Sequence, residues 1–129
     1  MKVRPFLMFE GKAEEAMTFY TSVFPDSKIL DIRRYGPGEA GAEGSIYKAL
    51  FQIGDQTIAC IDSPVKHAFS FTPAFSLFVD CDSEEDLRRY VTTLVDGGTT
   101  LMPLANYGFS RQFAWLTDRF GVSWQLNLP

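Results

Sequence analysis

FLMF, Phe6 to Phe9, leads into AEEAMTFYTSVF, Ala13 to Phe24; SLFV, Ser76 to Val79, leads into SEEDLRRYVTTL, Ser83 to Leu94. Shifted by 70 residues, Leu7 meets Leu77, Phe9 meets Val79, and Glu14-Glu15 meet Glu84-Glu85. At the same shift Met17 meets Leu87 and Tyr20 meets Tyr90. Matches in one register over this length mean one supersecondary unit used twice. In the first helix Ala13, Ala16, Met17, Tyr20, Val23 and Phe24 share a face; in the second, Leu87, Tyr90, Val91, Leu94 and Val95 do. That spacing is helical.

The boundaries carry their own signals. Ser83 can cap the second helix, and Glu84, Glu85 and Asp86 put negative charge at the positive end of its dipole. Gly97-Gly98 ends it, because glycine accepts the left-handed conformation needed there. Pro25 ends the first helix by withholding a backbone donor. Strands are predicted over 27–34, 45–53 and 56–62 in the first half, and over 99–102, 111–117 and 122–128 in the second. Gly54-Asp55 and Asp118 to Gly121 are the turns that fold the last two strands of each half together. The expectation is an α+β chain: module 1 over about 1–63, a linker over about 64–72, and module 2 over about 73–129, as one domain. Two loops stand outside the pattern. GPGEAGAEG, Gly36 to Gly44, lacks the GK[ST] ending of a phosphate-binding loop. The other, Pro103 to Ser110, carries Tyr107 and Phe109.

Composition excludes several partners. The 129 residues are 46% hydrophobic and 22% charged, enough to bury a core without staples. Net charge is -4, and Arg33-Arg34 and Arg88-Arg89 are isolated pairs, so no basic stripe offers nucleic acid its counterions. No apolar run approaches the roughly 20 residues of a membrane span, and no secretory leader is readable, which predicts a cytoplasmic protein. Cys60 and Cys81 have neither CxxC nor zinc spacing and read as buried reduced thiols.

The repeated unit, together with PFLMFEGKAEEAMTFY, FTPAFSLFVDCDSEED, MPLANYGFS and DRFGVSWQL, resembles the PhnB-like branch of the vicinal oxygen chelate (glyoxalase and bleomycin-resistance) superfamily. Members of that branch often carry the label 3-demethylubiquinone-9 3-methyltransferase. The resemblance spans nearly the whole chain. It implies two βαβββ modules forming a curved mixed sheet around a cleft, with the helices on the convex side. It also implies a divalent metal, held by His or Gln on the first strand and Glu on the last strand of each module.

This chain departs from that ligand pattern. The first-strand positions fall at Arg4 or Pro5 and at Ala74 or Phe75, and the last-strand positions at Ala59 and Gln125. A catalytic metal usually keeps three or more protein ligands, and here only the neutral Gln125 amide could offer one. The expectation is therefore no metal and no cofactor. The methyltransferase label meets a similar difficulty: EGKAEEA after the first strand has one glycine and no glycine-rich turn for S-adenosylmethionine. His67, the one histidine, lies in the linker SPVKHAFSF, as a surface residue or a general base. Asp62, Asp80 and Asp82 sit at strand ends, where solvated carboxylates are ordinary.

Strand alternation sketches the cleft. Leu7, Phe9, Leu77, Val79, Trp124 and Leu126 should face the helices. That leaves Phe6, Met8, Ser76, Phe78, Ser123, Gln125 and Asn127 on the other side, with Tyr107 and Phe109 above them on the loop. Rings, a thioether and neutral polar groups suit an uncharged or aromatic small molecule. Three functions stay open: a metal-free binding protein, a metal-dependent lyase, isomerase or dioxygenase, and a methyltransferase. A homodimer is expected, because the apolar strands Val3 to Phe9 and Ala74 to Val79 offer edges that need covering.

Overall fold

The computed structural model describes all residues, 1–129. The chain separates into two compact units, Met1–Ala68 and Phe69–Pro129. Unit 1 runs β1 (Phe6–Phe9), α1 (Ala13–Val23), β2 (Ser27–Arg34), β3 (Ile46–Ile53) and β4 (Gln56–Asp62). Unit 2 runs β5 (Ser76–Asp80), α2 (Glu84–Val95), β6 (Thr99–Ala105), β7 (Gln112–Thr117) and β8 (Ser123–Leu128). Both units are βαβββ. Their strand orders, β1-β4-β3-β2 and β5-β8-β7-β6, are the same arrangement twice. The first strand lies parallel to the last, and the other pairs are antiparallel. In hydrogen-bonding terms the expected mixed sheet is two four-stranded sheets, one per unit.

Alternation decides what each sheet buries. In unit 1, Leu7 and Phe9 pair with Cys60 and Asp62, and all four are buried, whereas Phe6 is 55% exposed. Helix α1 packs on β2, β3 and β4 through Ala13, Ala16, Met17 and Tyr20, and the Tyr20 ring stacks with Phe51 at 6.0 Å. In unit 2, Trp124, Leu126, Leu116 and Ala114 alternate into the core. Helix α2 packs on β6, β7 and β8 and buries Leu87, Tyr90 and Leu94. Each large apolar side chain so removed from water contributes about 1.5–3 kcal/mol. Tyr20 and Tyr90 both lie buried on their helices, as the repeat requires.

The helix boundaries follow their signals. Phe24, held extended by the proline after it, stops α1. Ser83 Oγ accepts from the Asp86 amide at 3.1 Å, and Gly97 takes φ +81 beyond α2. Gly98 is needed for a different reason. A Cβ there would stand 2.0 Å from the Thr117 carbonyl oxygen, so the start of β6 lies tight against the β7–β8 turn. The loop expected from Pro103 gives up its first three residues to β6. Proline is tolerated because β6 is an edge strand whose register against β7 slips between Met102 and Ala105.

Asp62 is not the solvated strand-end carboxylate expected. It is 4% exposed; Oδ1 accepts from the Gly11 and Ala13 amides at 2.8 and 2.9 Å, and Oδ2 from the Ile46 amide at 2.9 Å. Lys12 offers α1 no side-chain cap, so this carboxylate, 49 residues from Ala13 in sequence, closes the helix start.

Candidate functional site

Unit 2 carries the densest set of the expected site residues, on the sheet face away from α2. Cross-strand pairing places Ser76 beside Ser123 and Thr117, Phe78 beside Gln125 and Trp115, and Asp80 beside Asn127 and Phe113. Paired residues share a face, so these side chains form three rows across β5, β8 and β7.

The aromatic row is the most developed. The Phe113 ring, 4% exposed, is a hub: Phe109 meets it edge-on at 5.0 Å, Tyr107 edge-on at 6.2 Å, and Phe78 tilted at 6.4 Å. Tyr107 and Phe109 also stack on each other at 6.2 Å. The loop is shaped to hold them. Asn106 Oδ1 accepts from the Gly108 amide at 2.8 Å, Gly108 takes φ +98, and the Tyr107 hydroxyl donates to the Pro103 carbonyl. Phe78 and Phe109 remain 54% and 62% exposed. Tyr107 is 39% exposed, so the cluster is anchored at Phe113 and open at its other three rings.

The polar rows are less open than alternation alone suggests. Ser123 is 1% exposed; its Oγ lies 2.6 Å from Ser76 Oγ and accepts from Trp115 Nε1 at 2.9 Å. The two hydroxyls are therefore tied up between strands. Gln125 is half-buried between Phe78 and Trp115. Asn127 is buried, and its Nδ2 donates to Asp80 Oδ1 at 2.9 Å.

Phe6 and Met8 lie in unit 1. They pair with Ala59 and Ile61 on the face away from α1, and no polar group stands in those rows of β1 and β4. The structure thus groups Phe78, Tyr107 and Phe109 by ring contact, joins Ser76 to Ser123, and sets Gln125 between those groups. Phe113 and Trp115 complete the face and were missing from the expected set. Carrying strand alternation outward from the Asp118 turn to β7 places both of them there.

The family's metal does not fit these residues. Gln125 registers with Phe78 on the first strand of its unit, and Ala59 with Phe6, so neither position brings an imidazole or a carboxylate to the other. No three His, Cys, Asp or Glu side chains gather in a metal-binding group. The thiols are no better suited: burial pushes Cys60 up to about 12, helped by the charge of Asp62, and burial pushes Cys81 up to about 11. The Gly11 and Ala13 amides at the start of α1 are already occupied by Asp62. In the glycine-rich loop Glu39 takes the Gly36 amide at 2.5 Å, and Gly41 lies so close over the Tyr35 ring that a Cβ would stand 2.3 Å from it. His67 Nε2 lies 2.8 Å from Ser63 Oγ, a contact that closes the chain locally after β4.

Known proteins agree with this frame. The family model described as 3-demethylubiquinone-9 3-methyltransferase matches residues 1–127. The PhnB protein from Bacillus cereus is 51% identical, with a TM-score of 0.96 and 100% of both chains covered. Protein YjdN from Escherichia coli (strain K12) is 23% identical over 99% of this chain and 95% of its own length. The fosfomycin resistance protein FosX from Listeria monocytogenes shares the fold, with a TM-score of 0.67 at 10% identity, covering 100% of this chain and 92% of its own. The fold is the one that these fosfomycin resistance proteins have. No helix is long and apolar enough to cross a membrane.

Proposed function

The chain belongs to the 3-demethylubiquinone-9 3-methyltransferase family, and on that premise we propose that it is a small-molecule-binding protein whose ligand is uncharged and carries a flat apolar ring, held without a metal. The observation that carries this reading is the cluster of Phe78, Tyr107, Phe109 and Phe113, a packed ring platform with three rings open around a buried one. Leaving large rings in water is unfavourable by about 25 cal/mol for each Å² of apolar area, and a flat ligand that stacks there recovers part of it. Half-buried Gln125 adds a neutral polar group beside Phe78, while Ser76 and Ser123 are joined to each other, and Phe6 and Met8 give unit 1 an apolar face of its own.

The metal-dependent lyase, isomerase or dioxygenase reading has less support. FosX from Listeria monocytogenes was crystallised, as a point mutant, with Mn(II) and a dihydroxypropylphosphonic acid, but the donor set of this chain lacks the carboxylates and imidazoles such a centre needs. The methyltransferase reading has the family description behind it, and against it the filled amides at the start of α1.

Titration with indole, followed by the NMR signals of the four clustered rings, tests the proposal. Saturable shifts confined to those rings and unchanged by a chelator are expected. Shifts that never saturate, or that vanish with the chelator, would overturn it.

The protein is further proposed to be a homodimer. Strands β1 and β5 are both edge strands, and next to them Val3 and Phe75 are 83% and 64% exposed. Light scattering at micromolar concentration checks this, and a mass near 14.5 kDa excludes it.

A further inference from the structure

Strand β8 turns Ser123, Gln125 and Asn127 to the face away from α2. Two of the three are committed within the chain: Ser123 joins Ser76 and the Trp115 indole, and Asn127 donates to Asp80. Gln125 is not. Its side-chain amide makes no hydrogen bond in the chain, and both its oxygen and its nitrogen are open to solvent. It pairs with Phe78 on β5 and with Trp115 on β7, so a ring flanks it on either side. Phe78 is 54% exposed, and its contact with Phe113 at 6.4 Å carries the ring cluster to this point. A molecule lying on the open Phe78 ring therefore has the amide at its edge.

The repeat shows that the fold does not ask for an amide here. Met8 and Phe78 stand 70 residues apart, and Met8 pairs with Ile61 as Phe78 pairs with Gln125. One copy of the module fills this place with an aliphatic side chain, the other with an amide. Between two rings that amide keeps only part of its hydration, so a partner that satisfies it gains more there than on an open surface.

We infer that Gln125 selects the ligand by pairing with one edge of a flat ring compound that lies against Phe78, and that the preferred class is the cyclic lactam. A lactam ring carries an N–H beside a carbonyl. Gln125 Oε1 accepts from that N–H, and Nε2 donates to that carbonyl, so both functions of the amide are used at once. The inference rests on the ring-binding reading above and narrows it to rings with a donor next to an acceptor. A site that offers both functions discriminates against an analogue lacking either one, because a protein group is then left unpaired.

The compounds 2-quinolone and 1-methyl-2-quinolone share one bicyclic frame and differ at the ring nitrogen, and their affinities for the native protein decide the matter. 2-Quinolone is expected to bind about five- to tenfold more tightly, the equivalent of one hydrogen bond. The Gln125 side-chain amide NMR signals should move on adding it. In Gln125→Leu the two compounds should bind alike. Gln125→Glu, of nearly the same shape, offers the lactam carbonyl a carboxylate in place of a donor and should bind 2-quinolone more weakly than the native protein does. Equal native affinities, unmoved Gln125 signals, a preference that survives in Gln125→Leu, or undiminished binding to Gln125→Glu each overturn the assignment. If a variant does not fold, the native affinities and amide signals still decide. Equal binding of both compounds at the rings leaves the ring-binding reading standing and removes only the role of Gln125. No saturable binding of either compound removes both.

Discussion

The two modules share topology, strand order and helix placement, yet they close their helices by opposite means. Helix α2 is capped from one residue before its start: Ser83 Oγ takes the Asp86 amide. Helix α1 is capped from across the sheet, by Asp62 on β4. The register makes the contrast sharp. Phe9 pairs with Asp62 in module 1, and at the matching place Val79 pairs with Leu126 in module 2. One position holds a buried carboxylate in one copy and a fully buried leucine in the other. Module 2 keeps its buried carboxylate elsewhere. Asp118, 3% exposed, takes the Phe120 and Val122 amides at 2.8 and 3.0 Å and the Trp124 indole at 2.9 Å, so it organises the hairpin rather than the helix. A repeated fold therefore constrains which backbone amides need a partner, and leaves open where the partner comes from.

The largest effect should come from making module 1 resemble module 2 at this place. Asp62→Leu strands three backbone amides at once and should cost about 3–5 kcal/mol, read by urea denaturation. A loss below about 1 kcal/mol would break the comparison, because Asp62 would then be only one cap among equals. Ser83→Ala, the local counterpart, should cost about 1 kcal/mol. A cost matching that of Asp62→Leu would show that the distant carboxylate has no special weight.

The smallest effect near neutral pH separates the modules by their thiols. Both Cys60 and Cys81 are held above the free-thiol range by burial, to about 12 and about 11. The folded state keeps these protons where the unfolded chain releases them, so stability is unaffected below about pH 8 and falls as pH rises through 9 toward 11. Each thiol should remove about 0.8 kcal/mol by pH 9. Replacing Cys60 by Ala should extend the retained stability to higher pH than replacing Cys81 does. The reverse order would mean that burial holds the Cys60 proton no more firmly than the Cys81 proton.

Much of this was readable in the sequence because it depends on local pattern. The repeat, the 3.6-residue faces of both helices, the Ser83 cap and the Gly97 terminator each need only residues within a few places of one another. So does the sorting of Leu7, Phe9, Trp124 and Leu126 from Phe6, Phe78 and Gln125 by strand alternation. Tertiary structure alone decided what depends on pairing between distant segments. It brought Asp62 to the start of α1, turned Ser123 into a buried partner of Ser76, made Phe113 the centre of the ring cluster, and left Asn127 Oδ1 without a donor. Which face a residue occupies follows from its own strand. Whether that residue is open, filled or unsatisfied depends on neighbours 40 or more residues away, as for Asp62 and Ala13 or Ser76 and Ser123; sequence periodicity holds no information about those distances.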